Sequence, residues 1–293
     1  MTKFKGVIPA LVSPIDENEK INASVLHSLI DYLIAKGADG FYVGGATGEG
    51  LNLAHEQRLV LAEEAVGHAG GKIPCIIQVA CMDFKKALEL AKHAESIGAT
   101  AISATVPLFF QYDEDDVYNY YKTLADSVSI PLMAYYSPAA AFNFNAKFAA
   151  RLFEVDNITA IKWTSSNYYE MIKLKEMTNG EMNVLNGPDE MLLMGLSAGA
   201  DGGIGSTYNF MFDNIRAVYD SFMNDDMAAA QKAQTKVDKI IGVLHGYANI
   251  PTTKLLLEAM GFAVGNPTFP MKRYSAEEKA AIVAHMKSAG LEI

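Results

Sequence analysis

The stretch that decides the fold runs from Phe84 to Ile97, then Gly98-Ala99-Thr100, then Ala101-Ile102-Ser103-Ala104-Thr105. Phe84–Ile97 repeats apolar residues at three- and four-residue spacing, the pattern of a helix with one buried face. Gly98 stands where such a helix needs a left-handed residue to stop. Two residues later a short apolar run begins, of strand length. The same device recurs at Gly37-Ala38-Asp39-Gly40 and at Gly199-Ala200-Asp201-Gly202. One helix-to-strand unit is therefore repeated along the chain.

Working outward from that unit, eight strands are expected: Gly6–Leu11, Gly40–Gly44, Cys75–Ala80, Ala101–Thr105, Leu132–Tyr136, Ala160–Thr164, Asn183–Asn186 and Gly202–Ser206. Helical runs such as Val25–Ala35 and Asp115–Leu124 lie between them. Eight βα units predict a closed (β/α)8 TIM barrel, with reactive residues at the C-terminal ends of the strands. A doubly wound open sheet would want a Gly-rich dinucleotide fingerprint after the first strand, and Val12-Ser13-Pro14 stands there instead. Beyond about residue 225 the strand signals stop, and Met227–His245, Thr252–Met260 and Ala276–Ser288 read as helices. Residues 1–225 are thus expected to form the barrel. Residues 226–293 form a C-terminal helical extension packed on it, with no linker to make it an independent domain.

Composition narrows the function. The chain has 293 residues, 50% hydrophobic and 20% charged, with a formal charge of −10. Lys and Arg form no stripe, which argues against nucleic acid or an anionic membrane as partner. Cys75 and Cys81 both lie near one expected strand, so free thiols rather than a disulfide framework are expected. No signal-peptide layout and no run of about 20 apolar residues occurs, pointing to the cytoplasm. The six histidines show no metal-ligand spacing, and no Gly-x-Ser-x-Gly elbow is present.

Lys162 is the most informative residue. Ile158-Thr159-Ala160-Ile161-Lys162-Trp163-Thr164 reads as a buried strand whose one cation lies near its C-terminal end. Burying a lone ammonium favours loss of its proton, and a neutral amine in an apolar pocket is suited to Schiff-base formation with a ketone. The alternative is a strand-end lysine with a buried stem and its head in water.

Three further groups would share its end of a barrel. Gly44-Gly45-Ala46-Thr47-Gly48-Glu49-Gly50 lacks the Lys-Ser/Thr of a P-loop and reads as a turn whose N–H groups cradle a carboxylate, or as a turn with no ligand. Tyr135 ends the neighbouring strand, where a phenol could shuttle a proton or simply pack. Asn186-Gly187-Pro188-Asp189-Glu190 and Gly205-Ser206-Thr207-Tyr208-Asn209 would present two carboxylates, hydroxyls and an amide, a lining suited to a polyhydroxylated ligand. Asp189 and Glu190 could equally be an acidic pair at a helix start. A glycosidase pair is the weakest reading, because sequence neighbours cannot flank one bond at the separation of about 5 Å or more that it needs.

Together these residues resemble the pyruvate-dependent class I aldolases typified by dihydrodipicolinate synthase and N-acetylneuraminate lyase, from about residue 4 to the C-terminus. The Gly-Gly-x-Thr-Gly-Glu turn, the strand-five Tyr and the strand-six Lys carry the resemblance. Asn186–Glu190 with Gly199–Asn209 is similar to the lyase branch. Ser137–Phe142 lacks the arginine with which the synthase branch holds its second substrate. The resemblance implies that Lys162 forms the imine and that Tyr135 moves the proton. Thr47 with the backbone around Ala46 would hold the carboxylate, and Thr164, Gly187, Asp189, Glu190 and Ser206 the sugar chain. It implies no metal or organic cofactor, a sialic acid split into pyruvate and N-acetylmannosamine, and a homotetramer. Two departures stand out: Ala46 where that branch has Ser, and Phe109 where the family has a Tyr donated across a subunit interface. Both delete a relay hydroxyl, which predicts a slow or altered enzyme with water or Tyr112 as substitute, or a binding paralogue, or another 2-keto-3-deoxy sugar acid as substrate.

Overall fold

The computed structural model describes residues 3–137 and 142–293. Part of Ser137–Phe142, where no arginine was found in the sequence, thus lies outside the described residues. Eight strands alternate with eight helices. The strands are β1 (Gly6–Pro9), β2 (Phe41–Val43), β3 (Cys75–Gln78), β4 (Ala101–Thr105), β5 (Leu132–Tyr136), β6 (Ile158–Trp163), β7 (Asn183–Asn186) and β8 (Gly202–Gly205). The helices are α1 (Ala23–Ala35), α2 (His55–Ala69), α3 (Phe84–Ser96), α4 (Glu114–Asp126), α5 (Ala146–Phe153), α6 (Tyr168–Met177), α7 (Leu192–Ser197) and α8 (Phe212–Met223). All ladders are parallel in the order β1-β8-β7-β6-β5-β4-β3-β2. The ring closes through the Ala10–Tyr42 bridge and the bond from Leu11 N to the Tyr42 carbonyl at 2.9 Å. This is the (β/α)8 TIM barrel that the repeated unit predicts.

Side-chain alternation divides the core. Ile8, Tyr42, Ile76, Ala101, Met133, Ala160, Leu185 and Ile204 fill the barrel interior, with Phe4 at its floor. Their neighbours Val7, Phe41, Ile77, Ile102, Leu132, Ile161 and Val184 face the helices. The helix-ending glycines behave as expected: Gly37, Gly98 and Gly199 have φ of 90°, 81° and 97°, where a Cβ would be strained. Four histidines bridge neighbouring helices to carboxylates, His27–Glu64 and His68–Asp31 between α1 and α2, His93–Glu63 and His55–Glu89 between α2 and α3.

The β5–β6 ladder contains an irregularity that matters for the site. Leu132 pairs with Ile158 but Met133 pairs with Ala160, leaving Thr159 as an extra residue in β6. Ile158 therefore faces the helices while Ala160, two residues on, faces the barrel interior. Without the bulge, Lys162 would keep the parity of Ile158 and point outward. β6 also begins at Ile158, earlier than Ala160, because the bulged pair still belongs to the ladder.

Beyond α8 the chain forms α9 (Met227–Leu244), α10 (Asn249–Ala259) and α11 (Ala276–Ser288). α10 starts at Asn249 rather than Thr252, since Pro251 falls in its first turn, where no N–H partner is needed. No helix among the described residues is long and apolar enough to cross a membrane.

Candidate active site

Lys162 sits inside the C-terminal end of the barrel and is 7% exposed. Its register partners are Tyr135 on β5 and Leu185 on β7. Nζ lies 4.5 Å from the ring centre of Tyr135 and 4.8 Å from that of Tyr42. No carboxylate among the described residues forms an ion pair with it. An aromatic face attracts an ammonium by about 0.5–2 kcal/mol, a weaker hold than a buried carboxylate exerts. Tyr42 is held in place by its hydroxyl, which donates to Ser103 Oγ at 3.0 Å, and burial pushes that phenol's pKa up.

The glycine-rich turn follows β2. Gly44 takes φ 69° and Glu49 takes φ 56°, so the chain doubles back tightly and a Cβ on Gly50 would overlap the Gly44 carbonyl. Ser13 Oγ donates to the Gly48 carbonyl at 2.6 Å. Among the described residues, no acceptor pairs with the N–H groups of Ala46 and Thr47, which leaves them for an anionic ligand. The turn is anchored by Glu49. Its carboxylate is buried, forms an ion pair with Lys254 of α10 at 2.6 Å and accepts from Thr268 N at 2.6 Å. Burial lowers the Lys254 pKa and the charge of Glu49 opposes that effect.

The opposite wall is built from the turns after β7 and β8. Gly187 is required there, because a Cβ would overlap Thr164 Oγ1. Asp189 opens a 3-10 turn, Asp189–Met191, that leads into α7. Its side chain does not cap that turn. Oδ2 accepts instead from Thr207 N at 2.9 Å and Thr207 Oγ1 at 2.7 Å, while Oδ1 is buried with no protein partner. Burial pushes the Asp189 carboxyl up to about 6; the Thr207 bonds and the charge of Lys162 oppose this, and Glu190 adds to it. A buried oxygen without a partner suits a ligand hydroxyl.

Ala46, Thr47, Tyr135, Lys162, Thr164, Gly187, Asp189, Glu190 and Ser206 all line one cavity of about 450 Å³. Tyr112, considered as a substitute acid, does not line it, and Phe109 is 83% exposed at φ 88°. Sequence reasoning missed the side chains that α9, α10 and their connection bring to the rim: Ile241, Leu244, His245, Asn249 and Ile250. It also missed Tyr42, whose inward parity on β2 was a usable signal. Ser165, Ser166 and Thr207 add further hydroxyls. No group of three or more His, Cys, Asp or Glu among the described residues is placed to hold a metal ion.

A barrel of this topology, with a buried lysine beside a tyrosine and an anion-accepting turn across the same mouth, defines a lysine-dependent lyase of the class I aldolase kind. Comparison with known proteins agrees. The Dihydrodipicolinate synthetase family pattern matches residues 3–289, and the chain belongs to that family. It is 32% identical over 280 residues to N-acetylneuraminate lyase of Rhizobium meliloti, covering 96% of this chain and 93% of that one. Among solved structures, N-acetylneuraminate lyase of Proteus mirabilis superposes with a TM-score of 0.94 at 30% identity, covering 99% of this chain and 100% of that one. A Clostridium difficile protein described as CdNal in complex with mannosamine gives a TM-score of 0.94 at 30% identity, covering 98% and 100%.

Proposed function

We propose that the chain reversibly cleaves N-acetylneuraminate to N-acetylmannosamine and pyruvate through an imine on Lys162. The observation that carries this reading is the position of Lys162, buried at a strand end, register-paired with Tyr135 and opening onto the same cavity as Ala46, Thr47, Asp189 and Glu190. The amine adds to the C2 ketone of the open-chain sugar and water leaves, giving the iminium. Tyr135 takes the C4 hydroxyl proton as the C3–C4 bond breaks. The bonding pair moves into the iminium to give an enamine, and the aldehyde N-acetylmannosamine departs. Protonation at C3 and hydrolysis release pyruvate and free Lys162, so no electron acceptor and no cofactor are consumed. The Ala46 and Thr47 amides with the Thr47 hydroxyl hold the carboxylate. Thr164, Gly187, Asp189, Glu190 and Ser206 hold the hydroxylated chain.

Pyruvate with borohydride, followed by peptide mapping, tests the reading. Modification confined to the Lys162 peptide is expected, and its absence overturns the mechanism. A second reading keeps the imine and changes the substrate to another 2-keto-3-deoxy sugar acid, or leaves a binding paralogue. It is favoured by the absence of hydroxyls at Ala46 and Phe109. Profiling aldehydes against pyruvate separates the sugar acids, and trapping without any turnover identifies the paralogue. We further propose cytoplasmic residence, a role in carbohydrate metabolism, a homotetramer, and residues 226–293 folding with the 1–225 barrel as one unit.

A further inference from the structure

α9 lies outside the barrel, yet one of its side chains reaches the turn that carries Asp189 and Glu190. Gln234 is buried at 6% exposure. Its Oε1 accepts from Leu193 N at 3.0 Å, and its Nε2 donates to the Asp189 carbonyl at 3.2 Å and to Asp238 Oδ1 at 2.8 Å. These partners fix the amide's orientation, since a flipped group would set donor against donor and acceptor against acceptor. Leu193 stands in the first turn of α7, whose N-cap Met191 supplies no side-chain bond. Its N–H would otherwise be an orphan of the helix start. Gln234 therefore caps α7 from another helix while gripping the residue that begins the preceding 3-10 turn.

Asp189 is thus held at two points. Thr207 fixes Oδ2 and Gln234 fixes the main-chain carbonyl, leaving Oδ1 buried without a protein partner on a residue that lines the cavity. α9 also comes within electrostatic reach of Glu190: burial raises the Asp238 pKa, the Gln234 bond lowers it and the charge of Glu190 raises it. We propose that Gln234 is a positioning residue that sets Asp189 Oδ1 and Glu190 against the hydroxylated half of the substrate without touching the imine chemistry. The proposal rests on the aldolase reading above.

Two full-length variants test it, with N-acetylneuraminate cleavage and borohydride trapping of pyruvate as separate readouts. Gln234→Leu should raise KM about tenfold, keep kcat within about threefold and leave trapping on Lys162 unchanged; a tenfold change is about 1.4 kcal/mol. Gln234→Glu keeps the size and the acceptor for Leu193 N but sets an oxygen against the Asp189 carbonyl. It should raise KM to a similar extent, and it carries the test should the leucine variant fail to fold. An unchanged KM in Gln234→Glu overturns the proposal, because capping Leu193 would then be the residue's whole role. A parallel fall of kcat, trapping and Tm in both variants also overturns it, by showing a general structural role. Failure of trapping in the unaltered chain removes the aldolase reading itself, which is a different result.

Discussion

Two lysines are buried among the described residues, and their surroundings have little in common. Lys254, 1% exposed on α10, faces the Glu49 carboxylate at 2.6 Å and donates to the Asn266 carbonyl at 3.1 Å. Lys162 faces two aromatic rings at the mouth of a cavity. A buried ammonium with a carboxylate and a carbonyl has its charge answered, and it serves to tie the C-terminal helices to the glycine-rich turn. One with ring faces and open space is left for a ketone that enters the cavity. Burial alone therefore does not mark a reactive amine; the nature of its neighbours does.

The largest test of this contrast is replacement of each lysine by methionine. Lys162→Met should fold with a Tm near that of the unaltered chain and lose cleavage by at least about 10³-fold, since the covalent route is removed. Retention of cleavage would assign the chemistry elsewhere. Lys254→Met should do the reverse, costing about 3–5 kcal/mol of stability because Glu49 is left buried and uncompensated. Urea unfolding reads this directly, and adding Glu49→Gln should restore much of the loss. A cost below about 1 kcal/mol would show that the pair is not a structural tie.

Asp189 sharpens the contrast, because its carboxyl feels the charge of Lys162. Its folded value of about 6 exceeds the ordinary 3.8. The folded chain therefore binds the extra proton between those values, and stability falls as pH rises through that window. The difference amounts to on the order of 3 kcal/mol. Asp189→Asn should flatten the stability curve between about pH 4 and 6; equal slopes for the two chains would mean that the carboxyl titrates normally. The smallest expected effect is kinetic. Ala46→Ser with Phe109→Tyr should raise cleavage of N-acetylneuraminate by about tenfold or more, toward the range for a general acid–base component. No rise would show that Lys162 and Tyr135 work without that relay.

Much of this was legible in the residues, for physical reasons. Strands β4, β5 and β7 fall on their expected residues, because each apolar run is bounded by turn residues that must leave the ladder. The site residues could be gathered because a barrel brings all strand ends to one mouth, whatever their separation in sequence. What could not be read depends on partners far along the chain. Nothing near Gln234 marks it as the cap of Leu193, 41 residues away, and nothing near Glu49 marks Thr268, 219 residues away. The α9–α10 rim escaped notice because its apolar residues carry the same helical pattern as those that serve only to pack.

The additional residue at Thr159 acts as a phase shift in an otherwise binary code. Paired with β5 as a regular ladder, the same Ile158–Thr164 run would keep every motif used to recognise this site. The reactive side chain would nonetheless rotate into the helical layer, and the pocket would hold Ile161 or Trp163 in its place. A relative could thus carry the full set of signature residues and still be inert, betrayed only by the register of its sixth strand against its fifth.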